Sequence, residues 1–227
     1  HRRWAWARTT LDEIKAVRSA MGGTVNDVVL AAITRGFRDL LMGRGDPVDG
    51  VIVRSLVPVS VRSRDDHTLN NQVSAMIAEL PVGIADPVER LASIQAQMRE
   101  LKGSHMADAF SSLTELGEVT PPMVFGLGLR AVTAVLRRLP QRSVNTVTTN
   151  VPGPQVPLYA CGREMLEYYP FVPISHGVRT GVAILSYNRK ITFGVTGDWD
   201  TVPDVDVLAE GIEAGLAELA ACASSRR

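Results

Sequence analysis

Several common chemical signatures are missing from this sequence. Its two cysteines, Cys161 and Cys222, lie far apart with no Cys-x-x-Cys pair. That removes a disulfide scaffold and a thiolate metal knuckle. Its four histidines, at positions 1, 67, 105 and 176, form no His-Glu-x-x-His zinc helix. No nucleophile elbow and no Walker loop is present either. No apolar run reaches the roughly 18 residues a spanning helix needs, and no signal peptide is visible. Neither sign of charge is in excess, with 24 Lys and Arg against 24 Asp and Glu. Nucleic-acid binding driven by overall charge is therefore excluded. No repeat, low-complexity stretch or linker divides the chain.

What is present is ordinary globular material. The chain has 227 residues, 45% hydrophobic and 21% charged. At that length it can bury roughly 70–75% of its unfolded surface without staples. It opens at His1 instead of Met, so a piece of something longer is expected. Residues 1–8 alternate as a short strand, with Trp4 and Trp6 on one face and Arg3 opposite. Thr10-Leu11-Asp12-Glu13 is a capping box opening a helix striped by Leu11, Ile14 and Val17 and ended at Gly22-Gly23. A second box, Thr24-Val25-Asn26-Asp27, opens the strongest helix, whose wide apolar face runs from Val25 through Val29, Ile33 and Phe37 to Leu41. Gly43, Gly45 and Pro47 stop it.

Val51–Val61 reads as an interior strand and Gln72–Leu80 as its neighbour, across a polar turn at Arg64–Asn70. Asp86-Pro87-Val88-Glu89 starts a helix to about Lys102. A helical region follows from Ser112 to Leu139, interrupted at Pro121-Pro122. Val144–Thr149 is a β-branched strand running into the turn Val151-Pro152-Gly153-Pro154. Val182–Tyr187 and Ile191–Val195 make a hairpin, and an amphipathic helix closes the chain from about Pro203 to Cys222. Hairpins and crossovers together predict one α/β domain over 1–227 with a mixed sheet flanked by helices.

Few residues stand out as chemistry. Asp65-Asp66-His67 reads as a solvated turn before a metal site, and His176 lacks a visible partner for general-base work. Gly126, Gly128 and Ala131 imitate a dinucleotide fingerprint without its strand or its acidic residue. The basic, apolar stretch Pro121–Arg142 fits a core helix or a membrane-surface helix. Asn26 and Asp27 can be a helix cap or a polar pair at the mouth of a site. Thr146, Thr148 and Asn150 share one face of their strand and can present donors to a developing oxyanion; threonine is equally a plain strand former.

Five segments in order resemble a known family. They are Thr24-Val25-Asn26-Asp27-Val28-Val29-Leu30-Ala31-Ala32, Pro58-Val59-Ser60-Val61-Arg62, Asn71-Gln72-Val73-Ser74, Leu80-Pro81 with Asp86-Pro87, and Asn150-Val151-Pro152-Gly153-Pro154. Together with Gly181–Trp199 they are similar to the C-terminal half of the bacterial wax ester synthase/diacylglycerol acyltransferases. The resemblance implies half of a chloramphenicol-acetyltransferase-like fold, two such halves packing around a tunnel. It implies acyl-CoA as substrate, no cofactor, and diacylglycerol or a fatty alcohol as acceptor. In the family a His-His-x-x-x-Asp-Gly motif of the N-terminal half supplies the general base, and no such motif occurs here. This chain by itself is therefore expected to be inactive.

Carried over residue by residue, the resemblance makes Asn26 and Asp27 supports of the site. It puts Thr148, Thr149 and Asn150 on the strand that approaches the thioester, and leaves Arg62 either structural or a holder of coenzyme A phosphates. Asn70 stands where a Gly is more usual. The expected partners are the N-terminal half, acyl-CoA and the acceptor lipid, with no nucleic acid. The expected location is cytoplasmic, with peripheral contact at membrane or lipid droplets, and self-association of the isolated half. The alternative is a stand-alone, non-catalytic acyl- or lipid-binding or interaction module; a nucleotide-dependent oxidoreductase is the distant third.

Overall fold

The computed structural model describes residues 1–60, 73–103, 144–175 and 177–226. Two capping boxes form where the sequence predicts them. Thr10 starts α1 (Leu11–Met21), with its hydroxyl accepting from the Glu13 N–H and the Glu13 carboxylate accepting from the Thr10 N–H. Thr24 and Asp27 do the same for α2 (Val25–Gly43). The third helix, α3 (Pro87–Gly103), begins with the Asp86 carboxylate accepting the Glu89 N–H at 2.8 Å. The closing helix α4 (Val205–Ser224) starts two residues later than its pattern suggests. The Asp204 carboxylate is engaged by Arg44 and makes no side-chain cap bond.

Six strands build one mixed sheet. In chain order they are β1 (Arg2–Thr10), β2 (Ile52–Ser60), β3 (Val73–Pro81), β4 (Thr146–Pro152), β7 (Thr180–Tyr187) and β8 (Lys190–Asp198). The order across the sheet is β1-β8-β7-β4-β2-β3. The β7–β4 and β4–β2 pairs are parallel and the other three antiparallel. A separate two-stranded hairpin, β5 (Tyr159–Ala160) with β6 (Arg163–Glu164), lies between β4 and β7 in the chain. Its strands are too short for alternation to reveal them. β2 and β3 pair as neighbours, as expected, and β2 is interior.

One strand boundary moves. The segment expected at Val144–Thr149 forms β4 over Thr146–Pro152. Asn145 instead bridges sideways: its N–H donates to the Arg54 carbonyl and its side-chain oxygen accepts the Arg54 N–H, both at 2.8 Å. At the other end the parallel register with β7 persists to Pro152↔Ser186, because a proline at a strand end forfeits little pairing. The chain leaves the sheet at Gly153, where a Cβ would sit 2.3 Å from the Ser186 carbonyl oxygen.

One face of the sheet carries the core. Ala5 and Ala7 of β1, Phe193 and Val195 of β8, Val182 and Ile184 of β7 and Val53 and Val57 of β2 join the apolar faces of α1, α2, α3 and α4. Trp4 and Trp6 point the other way, in contact with Tyr169. Helices α2 and α4 cross closely. A Cβ on Gly36 would lie 2.6 Å from the Leu208 carbonyl oxygen, and one on Gly211 2.7 Å from the Gly36 Cα. On each edge strand one backbone N–H is taken by a side chain: Glu213 accepts from Arg8 and Gln97 accepts from Glu79.

Candidate functional site

The start of α2 is wired into α3. Gln95 of α3 donates to the Met21 and Gly22 carbonyls at 3.3 and 3.0 Å, holding the α1–α2 turn. Gly23 has φ 83°, and a Cβ there would fall 2.7 Å from the Gln95 amide nitrogen, so the turn requires glycine. Asp27 is buried behind this turn, and Asn26 beside it is half-buried. One Asp27 oxygen, Oδ2, accepts the Thr24 N–H at 2.7 Å. The other, Oδ1, is buried with no hydrogen-bond partner among the described residues. Capping accounts for one oxygen only.

The threonine strand lies inside the fold. Thr146 and Thr148 are fully buried on the helix-covered face, in register with Thr180 and Val182. The Thr146 hydroxyl donates to the Thr180 carbonyl at 3.0 Å, and Thr148 Oγ1 accepts from the Ser55 hydroxyl at 2.7 Å. Asn150 shares that face near the strand end and is half-buried; Thr149 points to the opposite face and is half-buried too. The hydrogen bonds found at the two candidate groups do not link Asp27 to this strand. Ser55, which sequence reasoning passed over, is thus the partner of Thr148. Nothing local signals it, since the pair is joined only by the β2–β4 crossover.

Arg62, Asn70, the Asp65-Asp66-His67 turn, His105 and His176 lie outside the described residues. So do the helical region at 112–139, the Pro121–Arg142 stretch and the Gly126, Gly128, Ala131 trio. His1, the one histidine described, stands at the exposed terminus with its ring 6.3 Å from that of Trp199.

A further polar cluster escaped the sequence reading. Arg90 of α3 is fully buried and donates to Glu218 of α4 at 3.0 Å, and Glu218 also pairs with Arg35 of α2. Arg90 additionally reaches the Ile84 and Ala85 carbonyls. Burial first, then the neighbouring Arg35 and Arg38 charges, bring its guanidinium down to about 10. Glu218, with Asp39 of α2 and Asp86 before α3, opposes these three cations, so the cluster is a structural junction of three helices. By contrast, hydrogen bonds from the Thr9 hydroxyl and the Thr10 N–H hold the Glu13 carboxyl below its ordinary value.

Two of the surface clefts among the described residues can be set against the candidate groups. One of about 370 Å³ lies between β1, α1 and α4, with Ile14, Val17 and Leu216 inside and Arg8, Glu13 and Glu213 at its mouth. The other, about 480 Å³, involves Arg2, Arg179 and Asp198. Neither lining includes Asn26, Asp27, Thr148 or Asn150. Among the described residues, no helix is long and apolar enough to cross a membrane, and no group of three His, Cys, Asp or Glu side chains is placed to hold a metal ion.

Comparison with known proteins supplies what these local contacts do not. The family model described as WS/DGAT C-terminal domain matches residues 69–220. A Mycobacterium tuberculosis protein named "Probable diacyglycerol O-acyltransferase tgs1" is 39% identical over 100% of this chain and 48% of its own length. Among solved structures, the wax ester synthase/diacylglycerol acyltransferase from Marinobacter aquaeolei VT8 is 29% identical with TM-score 0.70, over 98% of this chain and 49% of that one. A trichothecene 15-O-acetyltransferase from Fusarium sporotrichioides is 16% identical with TM-score 0.65, covering 96% and 47%, a likeness of fold alone. This chain thus spans about half the length of the curated relatives it matches. Its mixed sheet flanked by helices is half of a chloramphenicol-acetyltransferase-like, CoA-dependent acyltransferase fold. The chain belongs to the WS/DGAT C-terminal domain family.

Proposed function

We propose that this chain is the C-terminal half of an O-acyltransferase that moves a long acyl group from acyl-CoA to diacylglycerol, to a fatty alcohol, or to both. The observation that carries the reading is the 39% identity running the length of this chain and covering 48% of a relative named as an acyltransferase. The sequence itself holds no His-His-x-x-x-Asp-Gly. The reaction needs a base to take the acceptor hydroxyl proton as its oxygen attacks the thioester carbonyl. It then needs a proton for the departing coenzyme A thiolate. In this reading both duties fall to a histidine of the N-terminal half. No cofactor enters, since acyl-CoA is itself the activated substrate.

The present half contributes a tunnel wall and positioning. Asn26 and Asp27 steady the neighbouring catalytic loop, Asp27 by holding the α1–α2 turn and the half-buried Asn26 by facing the loop. Thr148, Thr149 and Asn150 form the strand approaching the thioester. There Thr148 or Asn150 stabilises the oxyanion, and the half-buried Asn150 at the strand end is the more accessible of the two. Arg62 is assigned either to coenzyme A phosphates or to structure. The enzyme works in the cytoplasm, in peripheral contact with the membrane or lipid droplets that hold its acceptor.

The test is acyl transfer from labelled acyl-CoA to diacylglycerol and to hexadecanol, by the full-length gene product and by this chain alone. Triacylglycerol or wax ester is expected from the full-length protein only. Turnover by this chain alone would contradict the division of labour. Acyl binding without transfer in either sample would return the chain to the non-catalytic binding module.

A further inference from the structure

We propose that residues 154–171, which contain the β5–β6 hairpin, form a preset arm that docks on the other half of the full-length protein. The proposal rests on the reading above that this chain is one half of a larger enzyme. Six large apolar side chains on the arm, Val156, Leu158, Tyr159, Leu166, Tyr168 and Phe171, are each between 41% and 68% exposed. Single exposed apolar residues need no explanation, but six along one short arm concentrate apolar surface as an interaction site does.

The arm is held in place at its root. Tyr187, buried at the end of β7, accepts the Leu158 N–H at 2.7 Å and donates its hydroxyl proton to the Met165 carbonyl at 2.8 Å. The Met165 N–H returns to the Leu158 carbonyl at 2.9 Å. On one side the Asn188 N–H donates to the Pro154 carbonyl and the Arg189 N–H to the Gln155 side chain, both at 3.0 Å. On the other, the Thr192 hydroxyl donates to the Tyr168 carbonyl at 2.5 Å. At the tip, Cys161 and Gly162 turn the chain with φ 51° and 75°. Hydrogen bonds that fix apolar side chains in water, with no core of their own, lower the ordering cost of a later contact.

Charge decides between the candidate occupants. An anionic lipid surface would call for unmatched basic side chains beside the apolar ones. Here Lys190 and Arg8 both pair with Glu167, and Arg189 pairs with Asp12. Within residues 154–171 a single cation, Arg163, stands against Glu164 and Glu167, so the arm itself carries no basic excess. A tyrosine-bearing apolar surface without basic excess suits a protein partner. The curated relatives carry about as much polypeptide again as this chain covers, so that partner is at hand in the same molecule.

Cys161, exposed at the tip, and Cys222, half-buried in α4, allow a direct test. Maleimide labelling, resolved by peptide, is compared between this 227-residue chain and the full-length gene product. Cys161 is expected to label at least about tenfold more slowly in the full-length protein, with Cys222 within about twofold, since docking protects only what it covers. Leu158→Asp with Tyr159→Asp in the full-length protein should restore fast Cys161 labelling; both side chains are exposed, so the fold survives the change. Equal Cys161 rates in the two proteins would overturn the arm. If acyl transfer by the full-length protein were intact in that case, the proposed function would still stand. Protection of Cys161 without any acyl transfer would uphold the arm and remove the acyltransferase reading.

Discussion

Asp27 uses one carboxylate oxygen to accept the Thr24 N–H and keeps the other buried with no partner among the described residues. A buried acceptor left unpaired costs about 1–3 kcal/mol, so a cap alone is a poor reason for this geometry. Asn26, half-buried beside it, is the member of the pair that a catalytic half can touch directly, with Asp27 holding the turn behind it. Replacing Asn26 and Asp27 by Ala in the full-length enzyme should therefore lower kcat as well as Tm. Thr24→Ala, which removes only the capping hydroxyl, should cost about 1 kcal/mol of stability and leave kcat in place. Steady-state kinetics beside thermal melts separate the two. If the Asn26 and Asp27 changes lower Tm alone, capping is the whole role of the pair.

At this scale the sequence was legible wherever the interaction was local. Both capping boxes involve residues three apart and formed as read. The contacts of Thr146 and Thr148 were not readable, because Thr180 and Ser55 reach them only through sheet pairing.

Among the described elements, helices and strands were recovered by their periods, and errors gathered at ends where a tertiary contact competed. Asn145 left β4 to bridge to Arg54, and Asp204 left its capping duty to Arg44. The β5–β6 hairpin has no period to detect at two residues a strand. Arg90 was invisible for a different reason. A lone arginine on an amphipathic helix looks solvated, and only its placement under α4 makes it fully buried with Glu218. This junction gives a stability prediction. Glu218→Ala removes the acid shared by Arg90 and Arg35 and leaves a buried guanidinium uncompensated. The expected loss is about 2 kcal/mol, below the figure for a wholly buried pair because Glu218 keeps part of its surface in water. Urea unfolding of the chain would measure it, and an unchanged midpoint would mean that the Ile84 and Ala85 carbonyls suffice.

For the whole molecule, fold and family were readable because five short segments lie in order along one chain, and the family model and the fold agree with them. The location of a complete active site was not readable from this half. The proposed general base lies in residues this chain does not contain, and Arg62 lies outside the described residues. On the proposed reading, a second half would also cover the exposed arm and the exposed Trp4 and Trp6. Surface that a second half would cover is left in water, and the isolated chain is expected to self-associate through it.

All of this depends on the chain being half of a larger enzyme, and the intact mass of the native gene product in its source cells tests that most directly. The account predicts a mass near twice 24.5 kDa, as the 48% coverage of the relatives requires, with His-His-x-x-x-Asp-Gly in the upstream portion. A native mass near 24.5 kDa, with no such motif in the gene, would contradict it.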